Sequence, residues 1–121
     1  MVNQNKVIIC NNVKAAYDSF RAEELKKTKE QIFDDYYQIH FYSELKEFFD
    51  VEATNDLSEN CYRCLAKEDK NVLPLLYDYY LSDEYASIDN WESISDFIYN
   101  YCERYHEKDL YGGNELEYSN P

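Results

Sequence analysis

The sequence predicts an all-α fold, one small bundle of about five helices. Three observations predict it. The chain of 121 residues has only two glycines and two prolines, too few for a turn-rich β-sandwich or barrel. Its apolar residues recur at helical spacing, most clearly at Trp91, Ile94, Ile98, Tyr101 and Tyr105, the rhythm of one helix face turned to a partner. Helix-start signals stand where the apolar runs begin. A chain of this length makes one domain, 1–121, with its helical core over 13–106.

Residues 1–12 hold one β-like run, Val7-Ile8-Ile9-Cys10, and no second run to pair with it. They read as a flexible N-terminal arm, or as the lead-in to a helix, because an isolated strand leaves its backbone hydrogen bonds unmade. A helix over 13–27 follows, with Val13, Ala16, Tyr17 and Phe20 on one side. Thr28-Lys29-Glu30-Gln31 has the form of a capping box and opens a long helix to about residue 50. Ile32, Tyr36, Ile39, Phe41, Leu45, Phe48 and Phe49 give that helix a broad apolar face, which makes it the central one.

Residues 51–57 are polar, include Asn55-Asp56 and read as a loop. Ser58 is a good N-cap for a helix to about residue 69, with Leu57 and Tyr62 at the positions of a hydrophobic staple. Asn71 caps the next helix, and Pro74 falls in its first turn, where no N–H is required. Val72, Leu73, Leu76, Tyr77, Tyr80 and Leu81 form its buried side, and 82–87 is a turn. Asp89-Asn90-Trp91-Glu92 reads as a second capping box, with Asp89 as N-cap of a helix to about His106. The polar residues 107–121, with Gly112-Gly113, predict a flexible C-terminal tail.

Pieces of this order resemble a family of short acidic proteins of unknown function from Firmicutes and their mobile elements. They are Tyr17-x-x-Phe20, Ile32-x-x-x-Tyr36 with Glu44-Leu45, Asp56-Leu57-Ser58, Leu73-Pro74-Leu75-Leu76-Tyr77-x-x-Tyr80-Leu81, and Ile94-x-x-Phe97-Ile98. All are core or cap positions, so the resemblance implies a helical fold and brings no catalytic residue with it. Its setting in phages and conjugative elements implies a counter-defence role. In character the chain is similar to small acidic anti-CRISPR and anti-restriction proteins.

Charge restricts the partners. The formal net charge is −13; residues 1–71 hold 10 basic against 14 acidic side chains, and residues 72–121 hold 2 against 11. Direct nucleic-acid binding is disfavoured, since phosphates are held by Lys and Arg, and so is an anionic membrane surface. No run approaches the roughly 18 apolar residues of a membrane span, and the N-terminal apolar run is too short for a signal peptide. The expected location is the cytoplasm of a bacterial host cell, where the cysteines stay reduced.

Cys61-Tyr62-Arg63-Cys64 is a C-x-x-C near a helix start, without the βαβ surroundings of a redox site. With Cys102-x-x-x-His106 it supplies the ligand types of a zinc site, although a second C-x-x-C is missing. Small cysteines on helix faces are also ordinary core residues. His40, the other histidine, has Ser43 near it in sequence and nothing that positions a nucleophile. No carboxylate pair stands out as an acid–base dyad, and no glycine-rich phosphate loop is present. No enzyme activity and no cofactor are expected.

What remains is an acidic, tyrosine-rich surface. Glu92, Asp96, Glu103 and Glu107 lie roughly opposite the seam of the last helix, and Asp78, Asp83, Glu84 and Asp89 add charge at the preceding turn. Four helical residues rise about 6 Å, so this stripe spaces carboxylates much as a strand spaces phosphates. Tyr79 and Tyr85 belong to a chain with fourteen tyrosines, a residue type common in interface anchors. The expected partner surface is Asp78, Tyr79, Asp83, Glu84, Tyr85, Asp89, Glu92, Asp96 and Glu103. It suits a basic nucleic-acid-binding protein, above all a CRISPR-Cas nuclease such as Cas9, whose nucleic acid the chain would mimic and exclude. Two other readings fit the same sequence: an immunity protein or antitoxin for a basic toxin, and a small zinc-stabilised regulatory adaptor. Oligomeric state is open, since an apolar seam serves a core or a twin equally.

Overall fold

The computed structural model describes residues 4–50, 57–68 and 71–111. Among them are seven helical segments and no strand: α1 (Gln4–Glu24), α2 (Lys29–Asp34), α3 (Tyr36–Phe48), α4 (Glu59–Ala66), α5 (Val72–Ser82), α6 (Trp91–Tyr105) and α7 (Glu107–Leu110). None is long and apolar enough to cross a membrane. The loop expected over 51–57 lies, except for Leu57, outside the described residues, as do Gly112-Gly113 and the rest of the tail.

The expected arm is, from residue 4, part of a helix. Val7-Ile8-Ile9-Cys10 lies inside α1, whose buried line Ile9, Val13, Ala16-Tyr17, Phe20 and Glu24 keeps helical spacing. β-branched residues carry only a small helix penalty, and burying Ile9 and Val13 in the core outweighs it. The first residues of the expected tail are also structured: α7 packs on α4 and α6, and Leu110 is buried.

Thr28 and Gln31 close the expected capping box: the Gln31 N–H donates to Thr28 Oγ1 (3.2 Å) and the Thr28 N–H to Gln31 Oε1 (3.0 Å). The long helix it opens is interrupted at Asp35, which separates α2 from α3. No proline or glycine causes this. Lys27 Nζ reaches both Asp35 Oδ2 (2.7 Å) and Glu24 Oε2 (3.0 Å), clamping the break to the end of α1. The ammonium holds the Asp35 carboxyl below the usual range, and Asp35 raises the Lys27 ammonium in return.

Helix α3 is central, packing on α1, α5 and α6, while α4 packs on α1, α6 and α7. Its buried residues are Phe41, Tyr42, Leu45 and Phe48, continued by Phe49; Tyr36 is exposed, so the apolar face is narrower than expected. Side-chain caps start three more helices. Ser58 Oγ accepts from the Cys61 N–H (3.2 Å), Asn71 Oδ1 from the Leu73 N–H (3.0 Å) and Asn90 Oδ1 from the Ser93 N–H (2.8 Å). The last corrects the expected Asp89 cap by one residue: Asp89 donates its own N–H to Ser87 Oγ and precedes the helix.

Candidate functional site: an acidic side with an aromatic cleft

Helices α5 and α6 lie side by side, joined by residues 83–90. The buried face of α6 is Ile94, Phe97, Ile98, Tyr101 and Cys102. This corrects the expected seam at both ends. Trp91 stays 39% exposed, edge-on to Phe48, and Tyr105 is 56% exposed. Phe97 and Cys102 take the inner places, at i+3 and i+8 from Ile94, where a 3.6-residue period puts them.

The tyrosines of α5 mostly belong to the core edge. Tyr77 packs on Phe41 (ring centres 5.2 Å apart), and Tyr80 packs on Phe41 (5.0 Å) and Phe97. Tyr79 lies against Phe97 (5.3 Å), Tyr101 (5.5 Å) and Tyr105 (5.9 Å). Burial, helped by nearby carboxylates, raises the phenol pKa of Tyr77 and Tyr79. Of the four tyrosines between residues 77 and 85, Tyr85 alone stands clear, at 86% exposure; Leu81 is also exposed rather than buried.

The expected acids and Tyr85 are at the surface in separate groups, while Tyr79 is half-buried at the core edge. Asp78 and Tyr79 border an open cleft of about 520 Å³ between α5 and α6, walled also by Glu68, Tyr101, Tyr105 and His106. Asp83, Glu84 and Tyr85 surround the turn after α5, near Arg104; Asp83 Oδ1 accepts from the Tyr85 N–H (3.0 Å) and shapes that turn. Glu92 and Asp96 border a different cleft, beside Ser58 and Cys61 of α4. Asp89 is exposed before α6, and Glu103 accepts from the Tyr111 hydroxyl (3.0 Å). Tyr111 in turn hydrogen-bonds Tyr99.

None of these carboxylates forms an ion pair among the described residues. Ion pairs of the first helices neutralise acids there: Lys14–Asp18, Lys26–Glu23, and Lys27 with Glu24 and Asp35. Arg104, the one arginine of residues 72–121, lies over the Tyr105 ring, 5.7 Å from its centre.

His106 was expected as a possible metal ligand with Cys61, Cys64 and Cys102, and the structure gives it another partner. Its Nε2 lies 2.6 Å from Glu68 Oε1, and Glu68 Oε2 accepts from the Tyr101 hydroxyl (3.3 Å). Among the described residues no three His, Cys, Asp or Glu side chains converge on a metal position. The three cysteines do meet in the core between α4 and α6, as buried thiols outside any disulfide. Cys102 donates toward the Cys61 carbonyl (3.9 Å) and Cys64 toward that of His106 (3.8 Å). The hydrogen bond with Cys102 draws Cys61 down to about 7 against the opposing effect of burial, with Ser58 assisting; Cys102 is pushed up. His40 is exposed and stacked beside Tyr36, and the Ser43 hydroxyl is taken by Tyr17 (3.2 Å), so these two form no catalytic pair.

Sequence reasoning missed Glu68, because nothing in a linear spacing pairs residue 68 with 101 or 106. It also missed a second exposed aromatic group, Phe33, Tyr36 and Tyr37, at the α2–α3 break. Compared with protein-family models, curated proteins and solved structures, the chain matches none.

Proposed function

We propose that this protein is a non-enzymatic inhibitor, carried by a phage or mobile element and acting in the cytoplasm of a bacterial host. Its acidic side docks on a basic nucleic-acid-binding protein, foremost a CRISPR-Cas nuclease such as Cas9, and excludes the nucleic acid. The observation that carries this reading is that Asp78, Asp83, Glu84, Asp89, Glu92, Asp96 and Glu103 meet no cation in an ion pair among the described residues, whereas Asp18, Glu23, Glu24 and Asp35 are ion-paired. A surface needed only for solubility gains nothing from concentrating uncompensated charge on one half of the chain. Concentrated like charge raises self-repulsion, yet it speeds encounter with an oppositely charged partner. Separate clusters around the turn and α6 suit a broad basic channel better than a single pocket.

The test is competition. A guide-loaded nuclease is mixed with labelled target DNA and a rising excess of this protein. Loss of DNA binding and cleavage, weakening as salt is raised, is the expected result. Unchanged binding and cleavage at large excess would sink the proposal for that nuclease.

A further inference from the structure

The cleft between α5 and α6 joins two kinds of recognition chemistry. Tyr79, Tyr101 and Tyr105 form one wall, their rings 5.0–5.9 Å apart and tilted 49–82° to one another rather than stacked flat. Aromatic rings present a negative face to a cation. Carboxylates stand beside them: Glu68, fixed by His106 and Tyr101, and Asp78, exposed and in no ion pair among the described residues. Among the described residues no basic side chain other than His106 lines the cleft. Its volume of about 520 Å³ is within the roughly 300–1,000 Å³ of small-ligand sites, and its open mouth admits a side chain that remains attached to a larger body.

A guanidinium suits such walls better than an ammonium. It is planar, weakly hydrated, stacks on phenol rings and pairs with a carboxylate through two N–H groups. One of these rings already takes a guanidinium: Arg104 lies over Tyr105 without lining the cleft, and Asp78 is left with no ion pair among the described residues. We propose that the cleft receives an arginine side chain of the basic protein partner, its guanidinium laid against the wall that Tyr79 and Tyr105 form and paired with Asp78. This rests on the inhibitor reading and names an anchor for it.

The probe is the capped peptide acetyl-Gly-Gly-Arg-Gly-Gly-amide, titrated into the isotope-labelled full chain by NMR, with the lysine peptide as control. The expected result is saturable shifts at Asp78, Tyr79, Tyr105 and His106. The arginine peptide should bind at least about threefold tighter than the lysine one. Asp78→Asn and Tyr105→Leu should each weaken binding by a similar factor, whereas Glu30→Gln and Glu47→Gln, at exposed acids outside the cleft, should not. Both cleft positions are exposed, and circular dichroism checks that each variant is folded. Shifts that fail to saturate, equal binding of the two peptides, or indifference to Asp78→Asn would each overturn the proposal. Nuclease inhibition without peptide binding overturns this anchor alone; peptide binding without inhibition overturns the nuclease target alone.

Discussion

The imidazole of His106 and the carboxylate of Glu68 lie 2.6 Å apart, and this contact ties the end of α6 to the second residue after α4. Both side chains are mostly buried, at 14% and 18% exposure, so the pair works in a poorer solvent than a surface ion pair. Removing either partner leaves the other short of a hydrogen bond. In urea unfolding, Glu68→Ala and His106→Ala should each destabilise the protein, and the double variant should lose less than their sum. The expected coupling is about 0.5–3 kcal/mol. Strict additivity would show that the contact contributes nothing.

Cys10 gives the fold a sensitivity to alkali. Burial against the core lifts its thiol to about 11, Lys6 opposing and Asp50 adding to the rise. The folded chain therefore keeps a proton that the unfolded chain releases above the ordinary thiol pKa. Stability should fall as pH rises from about 9 to about 11, by roughly 2 kcal/mol from this group. Cys10→Ala should flatten the slope of unfolding free energy over that interval, whatever it does to stability at pH 7. An unchanged slope would show that the thiol ionises as freely in the folded state.

Phe97 and Tyr105 separate the observed face of α6 from the expected one. Phe97 is 4% exposed and touches Phe41, Tyr79 and Tyr80. Phe97→Ala should cost about 3–5 kcal/mol, the usual range for emptying a large core site. Tyr105→Ala removes a ring that is more than half exposed and should cost about 1 kcal/mol or less. Equal losses in denaturant titrations would restore Tyr105 to the core.

These contrasts show which parts of the chain can be read from residues alone. Caps at Thr28, Ser58 and Asn71 were legible because a cap is a local contact, complete within three residues. The break at Asp35 was not, since its clamp comes from Lys27 and Glu24 across a helix end. Val7 to Cys10 looks like a strand when propensity is read alone, and becomes helix because Ile9 and Cys10 reach the core. The acidic surface was legible from composition, but its division into clefts was not. The same composition places Tyr79 on the surface, and the packing of α5 on α6 draws it to the core edge.

The cysteines should be hidden from reagents despite the low pKa of one of them. All four are buried thiols outside any disulfide, and Cys61, the thiol drawn down to about 7, is 1% exposed. Reaction needs the thiolate and also access, so opening of the α4–α6 contact limits the rate. With a disulfide reagent at pH 7.5, the native protein should react slowly at every cysteine and rapidly in denaturant. A fast native phase would mean that α4 opens readily, and mass spectrometry would identify its thiol.

The acidic side makes its own kinetic prediction. Asp78, Glu84, Asp89, Glu92 and Asp96 are exposed and meet no basic side chain among the described residues. Reversing two of them, as in Asp78→Lys with Asp96→Lys, should leave thermal unfolding almost unchanged, or raise the midpoint slightly by relieving repulsion. Association with a basic partner should slow by about tenfold or more at low salt, and the gap should close near 1 M salt, where the screening length is about 3 Å. Trp91, the only tryptophan, sits among these acids at 39% exposure, so its fluorescence can report the encounter without a label. A rate that ignores both the reversals and the salt would mean that this face is solvated only, and that the partner binds elsewhere.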